Sequence, residues 1–182
     1  MTLHPSELNY YLDLGIVEKV MGLINTGKEA SVYLAVAGEK HFAIKIFKDR
    51  NCRSFRNRSD YFMQTIPENR REARALKNKT AFGRKTEESL WRSREVRMLN
   101  LLHGEGADVP EVVAVGENSF VMEYFGTPDQ PAPRLADLRT ALLHPQHVFE
   151  RIIWNVSLFF QKGIIHGDLS PYNIRFFRVS CG

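Results

Sequence analysis

The residues best suited to chemistry stand near the end of the chain, in His166-Gly167-Asp168-Leu169-Ser170-Pro171-Tyr172-Asn173. A loop carboxylate such as Asp168 can face an attacking hydroxyl, as catalytic base or as the group that orients it. The amide oxygen of Asn173 follows at a spacing that lets it reach a phosphate-bound Mg2+ from the same side. These residue types in this pattern suit phosphoryl transfer. The other reading of the same residues is a proline-containing turn whose Asp and Asn serve turn geometry alone.

Further segments bear on that choice. The loop fits the protein-kinase pattern H-R-D-L-x-x-x-N at His, Asp, Leu and Asn, with Gly167 in the Arg position. Phe42-Ala43-Ile44-Lys45 matches the kinase V-A-I-K strand in its last three positions. Strand alternation puts Ala43 and Lys45 on one face, with Phe42, Ile44 and Ile46 on the other. A small Ala43 leaves room for a flat base, and Lys45 can reach the α- and β-phosphates. Taken alone, a Lys in such a strand is usually just solvated. Between two strand-like runs lies Asn25-Thr26-Gly27-Lys28-Glu29-Ala30-Ser31-Val32-Tyr33. It is too poor in Gly for G-x-G-x-x-G and does not fit G-x-x-x-x-G-K-[ST]. A tight turn with exposed amides, Lys28 and Ser31 can still cover phosphates, with Val32 packed on the base from above.

Positioning these groups falls to a strand-rich first half. A helix through Leu8, Tyr11, Leu12 and Leu14 is expected to end near Gly15, followed by strands at Val20–Asn25, Ser31–Ala37 and His41–Phe47, with Gly38-Glu39-Lys40 as a turn. Residues of about 49–85 have no sustained periodicity and read as a mobile insertion with a short helix at Glu68–Lys77. A helix from Ser89 to His103 carries Trp91, Met98, Leu99 and Leu102 on one face, and Glu95 sits on that same face. An inward carboxylate needs a cation, because an unpaired buried charge is very costly. Val112–Gly116 and Phe120–Tyr124 make a second hairpin, and Gly126–Pro133 is proline-rich enough for a hinge. Helices at Leu135–Leu143 and Pro145–Lys162 follow, the second opening on Pro and stopping at Gly163.

The order is the one a kinase requires: phosphate turn, Lys strand, helix with inward Glu, hinge, catalytic loop. It supplies Glu95 with a partner, the Lys45–Glu95 ion pair that holds the ammonium toward the phosphates. Met122, at the end of a strand before the hinge, would line the back of an adenine pocket. Backbone groups of Glu123 and Phe125 would bond the adenine edge. The fold class expected is α+β, a protein-kinase-like two-lobed fold. Residues 1–122 form the sheet-based N-lobe, 123–133 the linker, and 134–182 a partial helical C-lobe.

Bulk properties fit that picture. Apolar residues at 43% and charged residues at 25% are ordinary for a globular protein. There is no signal-peptide pattern and no apolar run long enough to span a bilayer. The two cysteines, Cys52 and Cys181, suit a reducing compartment rather than a disulfide framework. A cytoplasmic protein without a membrane partner is expected. The net charge of +4 hides an asymmetry: Lys48 to Arg97 carries 15 basic and 7 acidic residues, a balance of +8. Such a block suits an anionic partner, or else a solvated loop with one charged helix. His144 and His147 lack a third ligand at sensible spacing and read as exposed helix-start residues.

These residues resemble the RIO family of atypical protein kinases, specifically its type-one branch and the bacterial members of it. The resemblance rests on T-G-K-E-A-S-V-Y-L at Thr26–Leu34, R-S-F-R at Arg53–Arg56, F-G-R-K at Phe82–Lys85, A-P-R-L at Ala132–Leu135, and the His166–Asn173 loop. It implies ATP and Mg2+ or Mn2+ as ligands, a protein Ser as acceptor, and autophosphorylation associated with the basic insertion. It also implies work on the small ribosomal subunit, partly as an ATPase switch, which would give the +8 block ribosomal RNA as its partner. The chain departs from the family beyond Asn173. The family's second metal-ligand Asp, which can also accept the phosphate, has no counterpart among Ile174–Gly182, where there is neither Asp nor Glu. The expectation is therefore a truncated member with little or no phosphotransfer activity, whose tail suits a frameshift or gene-model error. Its Ile152, Ile153, Val156, Phe159 and Phe160 are expected to be left uncovered. Two other functions remain open: a small-molecule kinase of the aminoglycoside or choline type, and a non-catalytic ATP- or ribosome-binding module.

Overall fold

The computed structural model describes residues 6–48, 94–138 and 144–177. The basic insertion, its expected Glu68–Lys77 helix and Trp91 lie outside the described residues. Helix α1 (Ser6–Asp13) leads into β1 (Lys19–Thr26), β2 (Ala30–Ala37) and β3 (Lys40–Phe47). Helix α2 is described over 94–104. It is followed by β4 (Val112–Val115), β5 (Ser119–Glu123), a 3-10 turn (Leu135–Asp137) and α3 (Pro145–Gln161). The strands form one antiparallel sheet in the order β1-β2-β3-β5-β4. The architecture is the expected α+β one.

Local chemistry explains the elements. Gly38, at φ 57°, turns β2 into β3, where Ala37 pairs with Lys40; a two-residue hairpin loop needs such a left-handed residue. Helix α1 closes on Gly15 at φ 67°, where Gly15 N–H donates to the Leu12 carbonyl and Ile16 N–H to that of Tyr11. Helix α3 starts on Pro145 and closes on Gly163 in the same manner.

The two sheet faces carry separate cores. On one, Leu8 and Tyr11 of α1 pack with Val17, Ala35, Ile44, Ile46 and Val121. On the other, Val96 of α2 packs with Ala30, Phe47 and Phe120, supported by Leu99, Val112 and Met122. The β3 alternation is as expected: Ile44 and Ile46 face α1, and Phe47 faces α2.

Three expectations need correction. Leu14 is 57% exposed, because α1 ends before it and the Gly15 turn carries it outward. Val96 is a buried residue of α2 that the expected face omitted; Leu102 is buried as well. The helix expected from Leu135 is a single 3-10 turn that ends at Leu138, whose backbone is extended. There, Leu135 N–H donates to the Ile174 carbonyl and Ala136 N–H to that of Pro171, so contacts with the loop after Ser170 set the local path. The rest of the expected Leu135–Leu143 helix lies outside the described residues.

Helix α3 buries none of its residues. Ile153 and Phe160 are exposed, and Phe149 and Trp154 join them, whereas Ile152, Val156 and Phe159 are half-buried. The uncovered apolar face is thus narrower than expected and shifted. No described helix is long and apolar enough to cross a membrane.

Asp108, in the loop after α2, ties α3 to the end of that helix. Arg151 donates to its carboxylate through Nε and a terminal nitrogen, each at 2.6 Å, and Asn155 donates at 2.7 Å. The Asp108 N–H returns a bond to Asn155 Oδ1 at 2.7 Å, and Lys162 pairs with Glu105 nearby. The Arg151 fork, chiefly, holds the Asp108 carboxyl below the usual carboxylate range. A depressed folded-state pKa contributes stability above the unfolded value of about 3.9, lost as pH falls through the lower folded value. Both side chains are about half exposed, so the contribution is about 1 kcal/mol or less. Denaturant titrations between pH 6 and 3 (a range set by the unfolded carboxyl pKa of about 3.9) should show a steeper loss of stability in the unaltered protein than in Asp108→Asn. Parallel curves would assign no such role to Asp108.

Candidate functional site

The site is built from β3 outward. Lys45 pairs in register with Val32 on β2 and Phe120 on β5. Its Nζ donates to Glu95 Oε1 of α2 at 2.5 Å, and the two side chains keep 23% and 30% exposure. The ammonium also lies 5.3 Å from the Phe47 ring centre and 5.8 Å from that of Phe120. Two aromatic faces and a carboxylate therefore fix one cation on the central strand, on the face that meets α2. Phe47 was legible from alternation, two residues after Lys45. Phe120 becomes visible only through the β3–β5 register.

Ala43 is buried and stands in register between Leu34 and Met122. Met122 is half-buried, packed on the core beneath α2. Glu123 ends β5, and its N–H is committed to the Glu111 carbonyl at 2.8 Å. Two residues on, the Phe125 carbonyl accepts from Ala132 N–H at 2.8 Å, while Phe125 N–H has no backbone acceptor among the described residues. The Glu123 N–H is thus committed within the protein, and that of Phe125 is left to meet a ligand edge.

The turn joining β1 to β2 closes through Gly27 N–H on the Ala30 carbonyl at 2.9 Å. Within it the N–H groups of Lys28 and Glu29 donate to no backbone acceptor among the described residues. Ser31 Oγ lies 3.0 Å from Thr26 Oγ1, and Val32 is half-buried on β2. Free amides in a tight turn suit an anion.

The second group lies beyond the linker. Gly167 has φ 74°, a left-handed backbone that costs an L side chain about 1–2 kcal/mol. This explains Gly in the position where the kinase pattern has Arg. Asp168 N–H donates to His166 Nδ1 at 3.4 Å. Asn173 Nδ2 donates to the Asp168 carbonyl at 2.6 Å and to its Oδ2 at 2.9 Å. With both amide donors used on Asp168, Oδ1 of Asn173 is the atom left for a cation. That donor set, one carboxylate and one amide oxygen in an exposed loop, fits a hard divalent ion. The loop is held by Phe176 N–H on the Pro133 carbonyl at 2.8 Å and by the Arg175 guanidinium on that of Ala132 at 2.7 Å. No group of three or more His, Cys, Asp or Glu forms a metal cluster among the described residues. His144 and His147 stack on each other, both exposed.

A five-stranded antiparallel sheet, a Lys–Glu pair beneath an amide-bearing turn, and a linker leading to an Asp–Asn loop define a protein-kinase-like fold. The chain belongs to the RIO domain family, whose profile matches residues 31–179. It is 30% identical over 161 residues to the RIO-type serine/threonine-protein kinase Rio1 of Haloferax volcanii, covering 88% of this chain and 51% of that protein. It is 29% identical over 155 residues to Rio1 of Methanocaldococcus jannaschii, covering 85% of this chain and 49% of that protein. The chain thus spans about half the length of these relatives. Among solved structures it is similar to the Rio2 kinase-ADP/Mg2+-phosphoaspartate complex of Chaetomium thermophilum. That match has a TM-score of 0.60 and 22% identity, and covers 91% of this chain and 43% of that one. It supports the fold.

Proposed function

We propose that this chain binds Mg·ATP and belongs to the machinery that passes the γ-phosphoryl group to a protein Ser. The observation that carries the reading is the Lys45–Glu95 bond at 2.5 Å, which joins residues fifty positions apart beside the free-amide turn. Lys45 would hold the α- and β-phosphates, the amides of Lys28 and Glu29 with Ser31 would cover them, and Val32, Ala43 and Met122 would enclose the base. The Glu123 and Phe125 backbone would meet the adenine edge. Asn173 Oδ1 would hold the divalent ion, Mg2+ or Mn2+, which when bound neutralises charge on the phosphates. Asp168 would orient the acceptor hydroxyl and take its proton as the new O–P bond forms, while the β,γ-bridging bond breaks and ADP leaves. The acceptor Ser belongs to a protein, with this chain itself a candidate. The +8 block would contact RNA of a ribosomal particle in the cytoplasm, in a salt-sensitive manner.

Titration of the purified protein with a fluorescent ATP analogue tests the binding. Saturation that requires Mg2+ and is competed by ATP is expected; a folded protein that shows none would overturn the proposal. Phosphate incorporation from labelled ATP tests the transfer separately. A Ser-directed signal abolished in Asp168→Ala would overturn the expectation of little transfer, and turnover of small alcohols instead would move the acceptor class.

A further inference from the structure

The turn between β1 and β2 is gripped by a residue that the chemistry above does not use. Lys48 follows β3 directly, and its Nζ donates to Thr26 Oγ1 at 2.8 Å and to the Gly27 carbonyl at 2.7 Å. Its own N–H donates to the Glu29 carbonyl at 2.9 Å. Thr26 Oγ1 in turn meets Ser31 Oγ at 3.0 Å, across the base of the same turn. One residue thus holds the turn on both sides of Lys28, and the N–H groups of Lys28 and Glu29 lie inside that grip without a backbone acceptor.

A Gly-containing turn left to itself samples many conformations. An anion that must order it on arrival binds more weakly for doing so. A turn already fastened by a charged donor presents its amides at no such cost. We propose that Lys48 is a positioning residue that fastens the phosphate-covering turn, so that the β- and γ-phosphates of a nucleotide meet amides already in place. The inference rests on the nucleotide reading above and adds a second lysine to it. Lys45 attracts the phosphates, and Lys48 holds the turn that covers them. Two of the three N–H donors of the Lys48 ammonium are committed to Thr26 and Gly27, so fastening the turn is the role its bonds show.

Calorimetric titrations of the full chain with Mg·ATP and with adenosine decide the matter. Lys48→Met is expected to weaken Mg·ATP binding about 5- to 10-fold, the loss of one charge-assisted hydrogen-bond pair at a half-exposed site. Adenosine binding should stay unchanged, since adenosine has no phosphate to meet the turn. Thr26→Val should weaken Mg·ATP in the same direction, and the double variant should be no worse than Lys48→Met, because both remove one clamp. Lys48→Arg should retain most of the affinity. Equal weakening toward adenosine would make Lys48 a general fold support and overturn the proposal. An inert Thr26→Val beside a weakened Lys48→Met would make Lys48 a direct phosphate ligand, and would also overturn it. If Lys45→Met weakens Mg·ATP and Lys48→Met does not, the clamp alone fails. If the unaltered chain binds no Mg·ATP, the nucleotide reading fails and the clamp with it. Melting curves for each variant show that the comparison is made on folded protein.

Discussion

Lys45→Met is expected to weaken Mg·ATP binding by about 10- to 100-fold, the factor that corresponds to losing charge-assisted hydrogen bonds of about 1.5–3 kcal/mol. The geometry makes the loss larger than for a solvated lysine. Lys45 is held by Glu95 at 2.5 Å and by two aromatic rings, so little conformational freedom is surrendered when phosphates arrive. Removing it does more than delete an attraction. It leaves the Glu95 carboxylate near the phosphates without its cation, a like-charge contact that opposes binding. Adding Glu95→Gln to Lys45→Met should therefore recover part of the affinity, whereas Glu95→Gln alone should reduce it by freeing Lys45 to wander. Calorimetry at fixed ionic strength reads all three, with adenosine as the phosphate-free control. Affinities within error of the unaltered chain would remove Lys45 from the site.

Tyr11→Ala is expected to cost about 3–5 kcal/mol of stability, the usual range for truncating a fully buried aromatic side chain. Tyr11 has no exposed surface and packs among Val17, Ala35, Ile44 and Val121, so nothing nearby can collapse into its space without moving the sheet. Its hydroxyl adds a second connection, 2.9 Å from Ser119 Oγ, in the turn that opens β5. A Cβ on Gly116 would stand 2.8 Å from that hydroxyl, which is why a residue without one precedes the turn. Burial pushes the Tyr11 phenol upward, against the smaller opposing pull of the Ser119 bond. Tyr11→Phe should cost about 1–2 kcal/mol, for the polar partner left in the core. The larger loss corresponds to a drop in Tm of about 10 °C for a domain of this size. Thermal unfolding of the two variants measures the ratio. Equal effects would mean that the hydroxyl, not the ring, holds α1 to the sheet.

Both predictions draw on features that were unequally visible beforehand. The strands were legible to within a residue at each end, since alternation and the Gly38 turn act between neighbours in the chain. Asp168, Asn173 and Lys45 announced themselves by type and spacing, and the order of segments supplied Glu95. Val96 was missed, because on α2 the helical period marks a stripe but does not say which side of it meets Phe47 and Phe120. The Leu135 helix was overestimated for a related reason. Its apolar spacing is helical, yet its first amides bond to carbonyls of the loop after Ser170, which no local rule contains. Lys48 and Arg151 carry no such mark of type or spacing, because their partners Thr26 and Asp108 stand 22 and 43 positions away in the chain.

The sequence by itself determined the residue types for chemistry, their order, and the short-range geometry that follows from turns, caps and alternation. Those depend on contacts a few residues apart, where chain connectivity already holds the groups together. The Lys45–Glu95 pair follows from the order of segments, and the structure makes it; only the tertiary structure decided the other pairings: Lys48 with Thr26, Asp108 with Arg151, Tyr11 with Ser119. The strength of a charge pair or hydrogen bond falls steeply beyond contact distance. Partners far apart in sequence reach that distance only after the sheet register and the seating of α1 and α2 are fixed. One lysine near the end of β3 thus became a phosphate group's candidate partner and the other the clasp of a turn.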